Sequence, residues 1–431
     1  MKIVIANAYA KGSGGDMAIL AVLIAELRRV FDNPDITVAT IDKNSNMEPL
    51  FPDVRFVSSL ITTIWDEDSP NRIAKLYSLI KNGFSTILWG LCYKYGKKRP
   101  NWLLQNSEKE TMNRMADADL VVGVGGGYIR EIPGFLRIMD LCLTLRMLYL
   151  SQMMGRMTVL HSQSIGPFGN KYQEKLAGYV LRRMQFIVTR ESISLKLLEK
   201  MGVKKELTMD SVDAAFLVRK QNLAPNPLPE EFTSIERNHS GPLIGVTVRN
   251  WLSEKAQKRY EEEMATALDR IAEKYDARIV FIPQTTVERN EDDDRVVQKR
   301  ISEKMRQKNR AVCLDGSYDY QTLLSIYANL DFLIGTRFHS VIFSLTAEIP
   351  TLVIAYEHKA DGIMKDLGLD EWVIKMENVD SPSIADAFTK LYEEKDAYCE
   401  HLKKALPGYI ARAEKSVERI KEVYLSHERP L

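Results

Sequence analysis

Short β-branched runs alternate with longer amphipathic stretches along most of this chain, and that alternation admits few folds other than parallel sheets covered by helices. In the first half, Lys2 to Ala6, Ile36 to Ile41, Leu120 to Val124, Thr158 to His161, Phe186 to Thr189 and Glu206 to Met209 read as strands. Asp16 to Val30, Phe135 to Met154, Lys171 to Met184 and Ser192 to Met201 read as helices between them. Pro225, Pro227 and Pro229 then break the rhythm, because proline continues neither a helix nor an internal strand. The pattern restarts with strands at Leu243 to Val248, Arg278 to Ile282, Ala311 to Leu314, Phe332 to Ile334 and Thr351 to Ala355. Helices are expected at Glu254 to Lys274, Asp292 to Lys308, Tyr320 to Ala328, His339 to Ala347, Ala385 to Leu402 and Ala411 to Tyr424, with Pro407-Gly408 separating the last two.

A chain of 431 residues exceeds what one compact core usually serves and suits two domains of roughly 200 residues. The expected division is 1–220, a linker at 221–242, 243–410, and a final helix at 411–431 that packs back across the domains. Two sheets joined by one linker imply a cleft at the carboxyl ends of their strands, where ligands of such sheets bind. Residues 60–115 fit the alternation poorly. With Trp65, Trp89 and Trp102 and the basic cluster Lys94, Lys97, Lys98 and Arg99, they read as an inserted helical subdomain, or as a patch that meets a lipid-linked acceptor.

Composition excludes several classes. Fifty-nine lysines and arginines balance 58 aspartates and glutamates, so global charge points to no nucleic-acid partner. Cys92, Cys142, Cys313 and Cys399 are scattered without a Cys-x-x-Cys pair and read as reduced and mostly buried. No run reaches the roughly 18 apolar residues of a membrane span, and the apolar N-terminal stretch is too short for a signal peptide. The expected location is cytoplasmic, with a peripheral seat on the inner face of the cell membrane as the sharper reading of 60–115.

Glycine-rich turns follow two strands. Gly12-Ser13-Gly14-Gly15-Asp16 opens the first helix, where free N–H groups favour an anion or a hydroxyl. Gly125-Gly126-Gly127 follows the third strand. Neither completes Gly-x-Gly-x-x-Gly, since Met17 and Tyr128 occupy the third glycine positions, which argues against a dinucleotide cofactor. His161-Ser162-Gln163-Ser164 offers small polar side chains suited to sugar hydroxyls, with His161 read as a core histidine. Arg190, Arg249 and Arg337 each lie at a strand end, and guanidinium forks match carboxylate and phosphate oxygens in two-point contacts. Arg337 and His339 surround the start of an apolar helix, where the dipole favours an anion and the imidazole can exchange a proton near neutral pH. Tyr356, His358 and Lys359 follow the next strand.

In order, Gly14-Gly15-Asp16, Gly125-Gly126-Gly127, Gln163 to Phe168, Thr189 to Ser192, Asp213 to Phe216, Gly245 to Arg249, Gly335 to Ser340 and Tyr356 to Gly368 resemble the polysaccharide pyruvyl transferase family. The resemblance implies an α/β fold of two Rossmann-like domains facing across a cleft, a B-type glycosyltransferase-like architecture. It implies no metal and no cofactor, with phosphoenolpyruvate as donor co-substrate and a sugar of a glycan or lipid-linked saccharide as acceptor. By that likeness His339 and Arg337 are the catalytic pair. Arg190, Arg249, Thr336, Ser340, Tyr356 and Lys359 join Arg337 on the donor, while Gly14, Gly15, Asp16, Gly126, Gly127, Gln163 and Ser164 meet the acceptor. The alternatives are a nucleotide-sugar glycosyltransferase of the same architecture and a relative that only binds glycans.

Overall fold

The computed structural model describes residues 1–9, 12–41, 47–61, 72–131, 137–221, 226–235, 241–286, 293–356 and 358–428. The chain forms two compact units. Unit 1 contains Met1–Lys11, Ile19–Ala214 and Arg412–Leu431, and unit 2 contains Gly12–Ala18 and Ala215–Ala411.

Unit 1 is built on a parallel sheet of β1 (Lys2–Ala8), β2 (Asp35–Thr40), β3 (Arg55–Ser58), β4 (Leu120–Gly123), β5 (Gly126–Ile129), β6 (Met157–Ile165), β7 (Phe186–Thr189) and β8 (Thr208–Asp210). Its order is β3-β2-β1-β4-β6-β7-β8, with β5 also paired to β6. The inner strands are buried on both faces because helices cover both: every residue of β4, β6 and β7 is buried. The helices of this half are α1 (Gly14–Val30), α2 (Arg72–Gly96), α3 (Asn106–Asp117), α4 (Arg137–Met153), α5 (Lys171–Leu181) and α6 (Ser192–Lys200). Starts are set by capping chemistry; the Asn170 side chain, for example, accepts the Tyr172 and Gln173 N–H groups at the head of α5.

The 60–115 stretch thus contributes α2 and α3 to unit 1. Arg146 of α4 fastens both. It donates to the Leu60 and Asn82 carbonyls at 2.8 and 2.9 Å and to buried Glu108 of α3 at 3.0 Å. Burial lowers the Arg146 pKa, and the Glu108 carboxylate opposes that shift.

In unit 2 the order is β11-β10-β9-β12-β13-β14, all parallel. The strands are β9 (Leu243–Thr247), β10 (Arg278–Phe281), β11 (Ala311–Cys313), β12 (Phe332–Gly335), β13 (Thr351–Ala355) and β14 (Val373–Lys375). Its helices are α7 (Glu230–Thr233), α8 (Glu254–Tyr275), α9 (Asp294–Lys304), α10 (Tyr320–Tyr327), α11 (Phe338–Thr346), α12 (His358–Asp366) and α13 (Ser381–Glu393). A last helix, α14 (Lys395–Glu428), begins in unit 2 and contributes its residues from Arg412 onward to unit 1.

Several expectations change. The division falls after Ala214 rather than at 220, and residues 226–235 belong to unit 2 instead of forming a linker. There Asn226 donates to Asp319 at 3.0 Å and Phe232 is fully buried. Residues 222–225 and 236–240 lie outside the described residues. The expected break at Pro407 is absent, and the proline sits inside α14. The buried stripe Leu402, Leu406, Tyr409, Ala413, Val417 and Ile420 runs through it at helical spacing, so packing outweighs the roughly 3 kcal/mol that an interior proline costs. The cysteines are unpaired, but Cys142 is exposed and the other three are half-buried. Among the described residues no helix is long and apolar enough to cross a membrane.

Candidate functional site

In each sheet the strand order reverses beside the first strand of the unit, between β1 and β4 and between β9 and β12. Such switch points open a crevice at the carboxyl ends of the strands. The sequence places its most reactive residues at the second of these.

Adjacent strands β9 and β12 are in register, with Thr247 opposite Gly335. Arg249 and Arg337 therefore each leave the sheet two residues beyond a paired position. Thr247 locks the loop: its side-chain oxygen accepts the Thr336 and Arg337 N–H groups at 3.0 and 3.2 Å and pairs with the Ser340 hydroxyl at 2.8 Å. Ser340 also donates to the Arg337 carbonyl at 2.6 Å, and Thr336 pairs with the Tyr260 hydroxyl at 3.3 Å. Thr336 and Ser340 are buried in this network.

Arg337 is the N-cap residue of α11, whose following residues Ser340 to Thr346 are all buried. Its guanidinium is itself buried and grips Asp294, with Nε and Nη2 at 2.9 and 2.5 Å from one carboxylate oxygen. The other Asp294 oxygen accepts the Gln284 and Thr285 N–H groups at 2.9 and 3.0 Å. Burial raises the Asp294 pKa, against the opposing pull of Arg337 and these N–H groups. The sequence reading missed Asp294, which stands in an acidic run, Asp292-Asp293-Asp294, that looks like an ordinary solvated helix start. Arg249 is half-buried; it donates to the Tyr356 hydroxyl at 2.5 Å and lies 4.5 Å over the Trp251 ring. Trp251 was also missed. Lys359 is half-buried in α12, while the side chain of His358 lies outside the described residues.

His339 sits in the first turn of α11, half-buried, its ring edge-on to Phe338 at 5.2 Å. Its other wall is unexpected. The Gly12–Ala18 segment groups with unit 2, not with the rest of the first half. Gly14 N–H donates to the Gln284 carbonyl at 3.3 Å, and Thr286 N–H donates to Gly12 at 3.0 Å. A Cβ on Gly15 would fall 2.0 Å from His339 Nδ1, and one on Gly14 would fall 2.3 Å from Leu323. Two bare glycines thus let the start of α1 lie against His339. Asp16 is half-buried and accepts a 2.6 Å bond from the Ser13 hydroxyl.

The remaining predicted residues lie in unit 1. Gly126 and Gly127 begin β5, with Gly126 paired to Gln163 of β6. Gln163 is fully buried; its Nε2 donates to the Ser164 carbonyl at 2.9 Å, and its Oε1 has no partner among the described residues. Asn7, at the end of β1, is a further buried amide in a left-handed backbone conformation (φ 64°) with Oδ1 likewise unpartnered. No sequence pattern marked it. Arg190, beyond β7, is buried and donates to Ser164 Oγ at 2.7 Å and to buried Asp213 at 2.6 Å. His161 is buried on β6 with Nε2 2.9 Å from the Ser416 hydroxyl, and burial pushes its pKa down to about 4.

The polysaccharide pyruvyl transferase family matches residues 14–358. The amylovoran biosynthesis protein AmsJ of Erwinia amylovora is 26% identical over 396 residues, covering 89% of this chain and 90% of that protein. Among solved structures, S. aureus MnaA with UDP superposes at a TM-score of 0.64 and 11% identity, covering 100% of this chain and 99% of that one. The UDP-GlcNAc 2-epimerase of Neisseria meningitidis bound to UDP-GlcNAc gives 0.62 at 14% identity, covering 99% and 100%. At such identities these two likenesses speak for the fold alone: two Rossmann-like domains of the B-type glycosyltransferase kind. Since the family match spans most of the chain, the chain belongs to the polysaccharide pyruvyl transferase family.

Proposed function

We propose that the protein transfers pyruvate from phosphoenolpyruvate to a sugar of a cell-surface polysaccharide or lipid-linked glycan, forming a ketal and releasing phosphate. The observation that supports this reading is the register of β9 and β12, by which Arg249 and Arg337 each follow two residues past a paired position on neighbouring strands, with His339 in the first turn of the helix that Arg337 caps. A small donor with both a carboxylate and a phosphate calls for two guanidinium forks and a helix N-terminus, and this edge of unit 2 supplies both kinds of group. Arg337, held by Asp294, is pre-organised and loses little freedom when an anion arrives; Arg249 takes the second anionic group.

In the reaction His339 gives a proton to the methylene carbon of the enol. The adjacent carbon becomes electrophilic and one sugar hydroxyl attacks it. Phosphate leaves with its bonding electron pair, the second hydroxyl attacks the same carbon, and the two hydroxyl protons return to the imidazole and to solvent. The helix dipole and the arginines stabilise charge as it moves from the carboxylate–enol system to the departing phosphate.

The test incubates the protein with phosphoenolpyruvate and the lipid-linked glycan fraction of producing cells, following free phosphate and glycan mass. Phosphate release matched by gain of a pyruvyl group is the expected result. Inert phosphoenolpyruvate, with a nucleotide sugar consumed instead, overturns the proposal in favour of glycosyl transfer.

A further inference from the structure

Helix α2 covers only one of its two sides. Asn82, Thr86, Trp89 and Tyr93 are buried, with the Trp89 and Tyr93 rings stacked at 5.7 Å. On the opposite side Ile80, Phe84, Ile87, Leu91 and Tyr95 recur at intervals of three and four and stay exposed, Phe84 at 67% and Tyr95 at 80%. Trp102, just beyond the helix, is exposed at 81%. Isolated exposed apolar residues are ordinary, but a stripe sustained over about four helical turns is not. The stripe also borders an apolar groove of about 390 Å³, which Ile80, Gly83 and Ile87 line together with Cys142 and Tyr149 of α4 and Tyr179 of α5.

The charge of this segment has one sign. Residues 80–105 include Lys81, Lys94, Lys97, Lys98 and Arg99 and no aspartate or glutamate. Arg99 is engaged by Asp117, and Lys81, Lys94, Lys97 and Lys98 are exposed. An apolar helical stripe with lysines beside it, on a helix not apolar enough to span, is the pattern of a helix lying in a membrane interface.

We propose that this face of unit 1 seats on an anionic lipid bilayer. Helix α2 lies in the plane of the interface, with Phe84 and Leu91 among the acyl chains and the lysines at the lipid phosphates, while the groove takes the end of a lipid chain. A second copy of the chain is a poorer occupant, because a two-fold contact through this face would bring the same lysines together. The proposal stands on these residues alone and does not depend on the reaction above.

Flotation of the full chain with vesicles of phosphatidylcholine, with and without one-third phosphatidylglycerol, tests it. Binding is expected to the anionic vesicles only and to weaken as salt rises. F84E/L91E should abolish it, and K94Q/K98Q should weaken it about thirtyfold, at the usual contribution of a basic side chain near an anionic surface. Thermal melting should be unchanged in both, since all four side chains are exposed. The proposal is overturned if the wild type fails to float with anionic vesicles or if either variant floats as the wild type does. A wild-type dimer in light scattering that F84E/L91E converts to monomer overturns it too, by naming a second copy as the occupant.

Discussion

The two switch points are built alike and equipped differently. In unit 1 the ends of β1, β4 and β6 present Asn7, a glycine turn and Gln163, all neutral. In unit 2 the ends of β9 and β12 present Arg249 and Arg337, with His339 in the first turn of α11. The same topology therefore carries a neutral edge in unit 1 and a cationic edge in unit 2. Each unit also holds a buried arginine against a buried aspartate, Arg190 with Asp213 and Arg337 with Asp294. Only Arg337 of these two stands at the switch point. Position in the sheet, not ion pairing, is what distinguishes the two arginines.

The largest expected effect breaks the comparison at its reactive end. His339→Ala should lower phosphoenolpyruvate-dependent phosphate release by about 10²- to 10⁴-fold with little change in melting temperature. Full-rate release by this variant would remove the histidine from the chemistry. Next, Asp294→Asn and Asp213→Asn should each destabilise the protein by about 3–5 kcal/mol in urea unfolding, because each strands a buried guanidinium. Equal stability losses with unequal losses of phosphoenolpyruvate affinity, larger for Asp294→Asn, would sharpen the distinction between the two pairs.

A pH titration probes the neutral side. His161 is uncharged in the folded protein, its pKa lowered by burial to about 4, whereas the unfolded chain takes up a proton near pH 6.5. The unfolded state thus binds more protons below that point, and stability falls as pH drops from about 6.5 towards 4, by about 3 kcal/mol for this group. His161→Gln should flatten that part of the stability profile, and an unchanged slope would assign it to other groups. Smallest is Gly15→Ala, whose methyl group meets the root of the His339 side chain. Overpacking there should cost about 1–3 kcal/mol, read as a melting shift accompanied by a drop in kcat.

Much of the fold was legible because buried parallel strands are apolar on both faces and stand out as runs such as Leu120–Gly123 and Thr351–Ala355. Three strands were not: Arg55–Ser58 and Val373–Lys375 are short sheet edges without such a run, and Gly126–Ile129 opens on two glycines. The continuity of α14 through Pro407 was hidden because a local breaker was overruled by a long buried stripe. In the site the arginines and His339 were visible from their strand-end positions. Their partners were not, since Asp294 lies 43 residues from Arg337 and Asp213 lies 23 from Arg190, distances that local patterns do not span. The grouping of Gly12–Ala18 with unit 2 was equally hidden, because nothing in a glycine turn records which sheet it will lie against.

We propose that the cationic edge of unit 2 is the seat of phosphoenolpyruvate. Calorimetric titration of phosphoenolpyruvate into the wild-type protein and Arg249→Gln, with UDP as comparator, tests this most directly. Saturable binding of phosphoenolpyruvate by the wild type, lost in Arg249→Gln, with no binding of UDP, is the predicted result. Binding of UDP but not phosphoenolpyruvate, or undiminished phosphoenolpyruvate binding by Arg249→Gln, would contradict it.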